Sequence, residues 1–529
     1  GGFVSAAALA LKAKQFDDGL YAAVELAAQN GAGRYPGKAG LLTALARCLA
    51  ETLSVSDGNA LGVVFGACEL GGLKTEAPPH AAAAVREEVE RFLGNELRSK
   101  PIAFYTWSPA LEAIFRQDRM LQTPLSGDAS IKALVRTLQA DEKLREAYTG
   151  YLELIARLTN PLDAPDLRSL LAGRQSRDVA FFPASESHEG NLVRKLFAEN
   201  AVPDGFNLMD ELIARIRSGK IQLQPRPESG WYDHQLWSIE PLVITDVLSE
   251  ARHLQLSKQY REHLVELFKG IYALTRETHI KQLPIMPAMA AMPGPRQVRI
   301  EVRPELSTEP LAEHYLRRAL AYRFVRRVIE ASFGTPALQE MRRLRAVGPV
   351  DPSVAEELDE MEALFYGAYL TVCRQLGMEP GDMSDVGSGQ GPDADAARFL
   401  KWGDSLESDE DLGQDARMMV TVFYDLGRRK TKVWVFLGWK AKRLDISFVN
   451  PPRVVGWSGT GPPSPRRLLS RFFAKEENPP PEIDFDATYK PLATPVTAEV
   501  YVTKILNRDE FRRHCDTHET ASAILENLE

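Results

Sequence analysis

Nine histidines are spread over 529 residues, and three of them stand beside carboxylates in segments whose side chains could meet. Residues 185–191 read SESHEGN and hold Glu186, His188 and Glu189. Residues 231–237 read WYDHQLW and hold Asp233 and His234, with Glu228 just upstream. Residues 275–281 read TRETHIK and hold Arg276, Glu277 and His279. Neutral imidazoles with a carboxylate are the ligand types of a catalytic divalent metal, zinc for example, that keeps one position open. The expected ligand set is His188, His234 and His279, with Glu189 or Asp233 as general base on a bound water. The chemistry would be metal-assisted hydrolysis. A Ser-His-acid arrangement through Ser185 or Ser187 is less favoured, because no G-x-S-x-G elbow surrounds either serine.

Each of these residues also has a simpler explanation. Ser187 can cap a helix, and Glu189 in its first turn would favour the helix dipole. His279 falls at a helix end, where a cation is favourable. Trp231, Leu236 and Ile239 fall on or near one helical face, as in an aromatic helix buried in a core.

A second group is FYTWSP with FRQDR. Tyr105 and Trp107 alternate on an expected strand, and Arg116 and Arg119 lie on the helix that follows. Aromatics with arginine suit a carbohydrate or a small anion. Tyr105, Trp107, Arg116 and Glu228 are therefore the expected ligand-binding residues.

Other signals fail on spacing. GAGRYPGKAG at 31–40 lacks the P-loop pattern, because Gly31 is one residue too far from Gly37 and Ala39 replaces the metal-binding hydroxyl. VGSGQGPD has no strand before it and reads as a linker. HCDTHE at 514–519 places His514 and His518 four apart but offers no general base in the place that H-E-x-x-H requires. The run 428–443 interleaves Arg428, Lys432, Lys440 and Lys442 with Trp434 and Trp439. Such a pattern can hold a nucleic-acid strand, but its alternation favours a sheet with one wet face, and nucleic acid is not the expected partner.

The whole-chain properties bound these readings. Apolar residues make up 44% and charged residues 26%, as in ordinary globular proteins. The net charge of −8 argues against a protein built around nucleic acid or an anionic membrane. Cys48, Cys68, Cys373 and Cys515 are scattered, which excludes a zinc ribbon and a dense disulfide scaffold. No apolar run of about 18 residues occurs, so no membrane-spanning helix is expected.

The elements that must position these side chains are mostly helices. Ala-rich, helically spaced segments fill 1–98. The body 99–377 adds long amphipathic helices with short strands expected at PIAFYTW and DVAFFP. An apolar, proline-broken connector is expected at 283–295. Gly, Asp and Ser mark 378–393 as a linker. In 394–529, three antiparallel strands with turns near Gly427 and Gly438 are expected, then AEVYVTKIL as a further strand. The fold class is α+β and predominantly α, with a C-terminal antiparallel α+β domain. The leading function is a hydrolase centred on 186–279, metal-dependent if the three histidines converge. The alternative is a non-catalytic binding or scaffold protein whose partner would meet its helical surfaces or its basic hairpin.

Overall fold

The computed structural model describes residues 3–197, 201–245, 250–283, 285, 306–381, 383, 386–448 and 489–528. The proline-rich stretches at 451–465 and 479–481, and most of the connector at 283–295, lie outside them. Among the described residues no helix is long and apolar enough to cross a membrane.

The first helix, α1 (Ala6–Asn30), explains much of the architecture. Ser5 caps it, its side chain accepting from the Ala8 N–H. Its alanines let neighbours approach closely, and it is buried on nearly every side. That burial includes Lys14, Asp17, Asp18 and Glu25. Four charges in a core helix must find partners in the surrounding elements, and those partners tie distant parts of the chain together.

The chain continues through α2 (Lys38–Thr52), α3 (Ala60–Leu70), α4 (Ala82–Leu93), α5 (Glu96–Ser99) and α6 (Pro109–Leu121). Ser108 caps α6 with Pro109 at its first turn, as the sequence implies. Then come α7 (Asp128–Ala140), α8 (Glu142–Leu158), α9 (Leu167–Leu171), α10 (His188–Phe197), α11 (Leu208–Arg217) and α12 (Trp231–Ile239). The long α13 (Lys258–Thr278), α14 (Ala312–Phe333) and α16 (Val354–Leu376) complete the helical body, with the short α15 (Thr335–Glu340) between the last two and α17 (Pro392–Gly403) packed on α16.

Two expected strands are absent. PIAFYTW forms a 3-10 turn over Ala103–Trp107. Phe104 and Tyr105 stack at 4.3 Å and are fully buried, so helix packing, not a sheet neighbour, accounts for the apolar run. In DVAFFP, residues 179–183 are likewise buried without forming a strand. Its backbone serves the chain that follows α6: the Leu125 N–H donates to the Val179 carbonyl and the Phe182 N–H to that of Leu121. An apolar run of this length fits a buried irregular segment as well as a strand.

The sheet is C-terminal. β1 (Leu254–Gln255) pairs only with β4 (Ser447–Phe448), while β2 (Met418–Asp425), β3 (Lys430–Asp445) and β5 (Tyr489–Val502) form an antiparallel sheet in the order β2-β3-β5. The expected turn near Gly427 is present: Asp425 Oδ1 accepts from the Gly427 and Arg428 N–H groups, and Arg429 adopts a left-handed φ of 54°. The expected turn near Gly438 is instead a register shift within one long strand, absorbed by Gly438 at φ 111°.

One face of the sheet lies on α13. A Cβ at Gly270 would come within 2.6 Å of Pro495, so this approach needs glycine. The other face makes a separate small cluster of Met419, Val433, Val435 and Val502 with Phe511 and Cys515 of α18 (Arg508–Asp516); α19 (Ala521–Glu526) closes the chain. The main core is continuous from Val4 to Ile505. In the expected linker, Val386 is buried and the Gly387 N–H donates to Glu362 of α16.

Candidate functional site

All three polar segments touch, and the first two bring a histidine to a carboxylate. His188 opens α10, and Asp233 lies in the first turn of α12. His188 Nε2 is 3.3 Å from Asp233 Oδ1. Asn160 Nδ2 donates to the same Oδ1 at 2.7 Å, and Ser229 Oγ donates to Oδ2 at 2.7 Å. Asn160 is itself fixed, because its Oδ1 accepts from the Gly230 N–H. Gly230 has no room for a side chain: a Cβ would meet the Thr159 carbonyl at 2.2 Å. Ser187 caps α10 through the Gly190 N–H, which sets where His188 begins the helix.

The electrostatics follow from these contacts. Burial would raise the Asp233 carboxyl, but His188, Asn160 and Ser229 outweigh it and hold the group below its ordinary value of 3.8. Burial would lower His188, yet Asp233, with help from Glu189 and Glu186, holds it above 6.5. The helix N-terminus opposes a cation at this position, so the carboxylates decide the sign. The His188 side chain is 24% exposed and Asp233 8%. A carboxylate fixed by Asn160 and Ser229, within ion-pair distance of an imidazole at the edge of solvent, can act as an oriented proton-transfer pair. Asp233 faces Nε2, which leaves Nδ1 as the nitrogen that can exchange a proton outward. At the rim, Arg226 bridges Glu186 at 2.8 Å and Glu228 at 3.1 Å.

The other two imidazoles are elsewhere. His234 leaves α12 in a different direction and stacks on Phe324 of α14, ring centroids 4.0 Å apart. Burial pushes it down to about 4. His279 is fully buried between Tyr21, Trp231 and Tyr232. Both its nitrogens are occupied: Nδ1 is 3.1 Å from Thr159 Oγ1 and Nε2 is 2.8 Å from Gln235 Oε1. The Gln235 carbonyl can only accept, so Nε2 carries the proton and Nδ1 accepts. Burial pushes its pKa well below 6.5. His188, His234 and His279 thus do not form the expected ligand set. Among the described residues no group of three or more His, Cys, Asp or Glu side chains is placed to hold a metal ion.

Glu189 is not placed as a base. Its carboxylate is fully buried, ion-paired with Arg276 and bonded by the hydroxyls of Tyr232 at 3.1 Å and Tyr272 at 2.8 Å. Arg276 also donates to the Thr421 carbonyl of β2. The pair clamps α10, α12 and α13 to the sheet, and its polar atoms face inward.

The expected aromatic–arginine pocket is not assembled. The fully buried Tyr105 hydroxyl donates to Glu25 of α1 at 2.9 Å. Trp107 rests against the core, with the Arg508 guanidinium 6.0 Å from its ring centre. Arg116 pairs with Glu112 one turn away. Glu228 pairs with Arg226 at the rim of the His188 site.

The sequence reading missed two buried charge clusters. Lys14 of α1 bonds Asp18 at 2.8 Å and Glu277 at 2.5 Å, and Arg508 of α18 pairs with the same two carboxylates. Burial would raise Glu277, but Arg508 and Lys14 hold it at about 2. In the second cluster Asp118 accepts from Lys38 and Lys281, Lys281 is 2.6 Å from Glu25, and Tyr151 donates to Asp118 at 2.8 Å. Lys38, the lysine of the rejected P-loop run, is therefore a core residue. The one available signal was charge inside the Ala-rich run LKAKQFDDGLYAAVELAAQ, where a solvated stripe would be expected on only one face.

Two of the hairpin's cations are used internally. Arg428 pairs with Asp204 and Asp425, Lys432 lies 3.5 Å from Glu499, and Trp434 donates to Glu499 at 2.9 Å. In the C-terminal pair, His514 Nε2 is 3.0 Å from the Ile524 carbonyl. Comparison with family models, with curated proteins and with solved structures finds no match to this chain.

Proposed function

We propose that the protein is a hydrolase whose acid–base group is His188, oriented and kept proton-ready by Asp233. The observation that carries the reading is the Asp233 carboxylate, held by Asn160 at Oδ1 and by Ser229 at Oδ2, with its Oδ1 3.3 Å from a partly exposed imidazole. In this account His188 takes a proton from an attacking water or hydroxyl through Nδ1 and returns it to the leaving group. Asp233 stabilises the imidazolium that forms between the two steps. Asn160 and Ser229 are positioning residues that fix Asp233. No step is assigned to a metal, because the histidines that would complete a ligand set are committed to Phe324, Thr159 and Gln235.

The test is turnover by the intact chain of a panel of chromogenic esters, amides, phosphoesters and glycosides, beside the variants His188→Gln and Asp233→Asn. The proposal expects at least one class to be hydrolysed, with a loss of roughly 10²–10⁴-fold in His188→Gln. A wild type inert towards the whole panel, or a His188→Gln variant of full activity, overturns it.

A further inference from the structure

We infer that the core holds a site for a single ordered water between α1, α13, α14 and α16. A cavity of about 20 Å³ lies there, lined by Lys14, Asp17, Thr275, His314 and Arg318 on its polar side and by Phe365 and other apolar residues opposite. On the same measure one water needs roughly 10–15 Å³, so the space admits one such molecule and not a larger ligand. Each of the five polar residues is less than a tenth exposed.

The lining has unmet hydrogen-bonding capacity of both signs. His314 Nδ1 lies 2.7 Å from the Ser238 carbonyl, which can only accept, so Nδ1 carries the proton and Nε2 is an acceptor. Burial holds this imidazole down to about 4, so it stays neutral near pH 7. No described residue bonds to Nε2. Thr275 is also distinctive. Thr43, Thr137 and Thr371 each return their hydroxyl to the carbonyl four residues back in their helices. Thr275, on α13, makes no such bond among the described residues and faces the cavity instead. A water can donate to His314 Nε2 and accept from the Thr275 hydroxyl.

Charge selects water over an anion. The two cations at the cavity are already neutralised, Lys14 by Asp18 and Glu277, and Arg318 by Asp17. Asp17 itself lines the space and would repel a negative guest. A dry cavity is expected only where the lining is apolar, and this one is not.

The test is a crystal structure of the intact chain, together with a crystal soaked in bromide. The inference expects one density peak about 2.6–3.2 Å from both His314 Nε2 and Thr275 Oγ1, without anomalous signal after the soak. In Thr275→Val the peak should be lost or move off its former position. An empty cavity in the wild type, or an anomalous bromide peak inside it, overturns the inference. So does a peak unchanged by Thr275→Val.

Discussion

Asp233 faces His188 from a different helix, its Oδ1 3.3 Å from Nε2, and its two oxygens are held by Asn160 and Ser229. The pair links the start of α10 to the first turn of α12, so its electrostatics register in folding as well as in proton transfer.

Removing the charge should make stability lose a specific pH dependence. The His188 pKa is raised above 6.5, so its contribution is full below that value and fades as pH rises through the folded-state pKa. The Asp233 pKa is lowered below 3.8, so its contribution is full above that value and fades as pH falls through the folded-state pKa. Both are present between pH 3.8 and 6.5. The Asp233→Asn variant should therefore show its largest fall in Tm near pH 5 and a smaller one above pH 8. Thermal unfolding at the two pH values checks this; an equal fall at both contradicts it.

The Glu189–Arg276 pair should behave as a structural clamp. Breaking a buried ion pair by removing one member typically costs ~3–5 kcal/mol, because the other charge stays buried alone. Arg276→Met should destabilise by about that much in urea unfolding, and it also deprives the Thr421 carbonyl of a donor. A loss below ~1 kcal/mol would show that Glu189 reaches water or another partner.

His234 should report on acid sensitivity. Its folded-state pKa of about 4 lies below the ordinary 6.5, so its contribution is intact above pH 6.5 and is lost as pH falls towards 4. His234→Phe keeps a ring on Phe324 and removes the titration. The variant should lose less stability than the wild type between pH 7 and pH 4, as read from Tm at each pH.

Chelation should leave the fold alone. The three candidate ligands point into separate surroundings, so melting curves with and without EDTA should superimpose. One equivalent of zinc should not shift the ring resonances of His188, His234 and His279 together. A joint shift would bring the three-histidine centre back.

The sequence was most legible where one rule governs a position. Ser108 and Pro109 announce α6, and the antiparallel C-terminal strands follow from alternation and turn residues. Phe104 and Tyr105, or Phe181 and Phe182, were misleading because an apolar run reports burial and not what buries it. The candidate site was half legible. The three polar segments touch, but not through their three histidines, and whether His234 follows Asp233 into the site depends on helix rotation. Adjacent residues on α12 point about 100° apart, which sends one ring to the site and the other to Phe324. The buried partners of Lys14 and Lys38 come from positions far away in the chain, and no local pattern names them.

The most direct test of the account is an NMR pH titration of the His188 ring in the wild type and in Asp233→Asn. The account predicts a wild-type pKa above 6.5, falling clearly in the variant as burial loses its opposing carboxylate. A wild-type value at or below 6.5, or one that the substitution leaves unchanged, would contradict the oriented pair on which the proposed function rests.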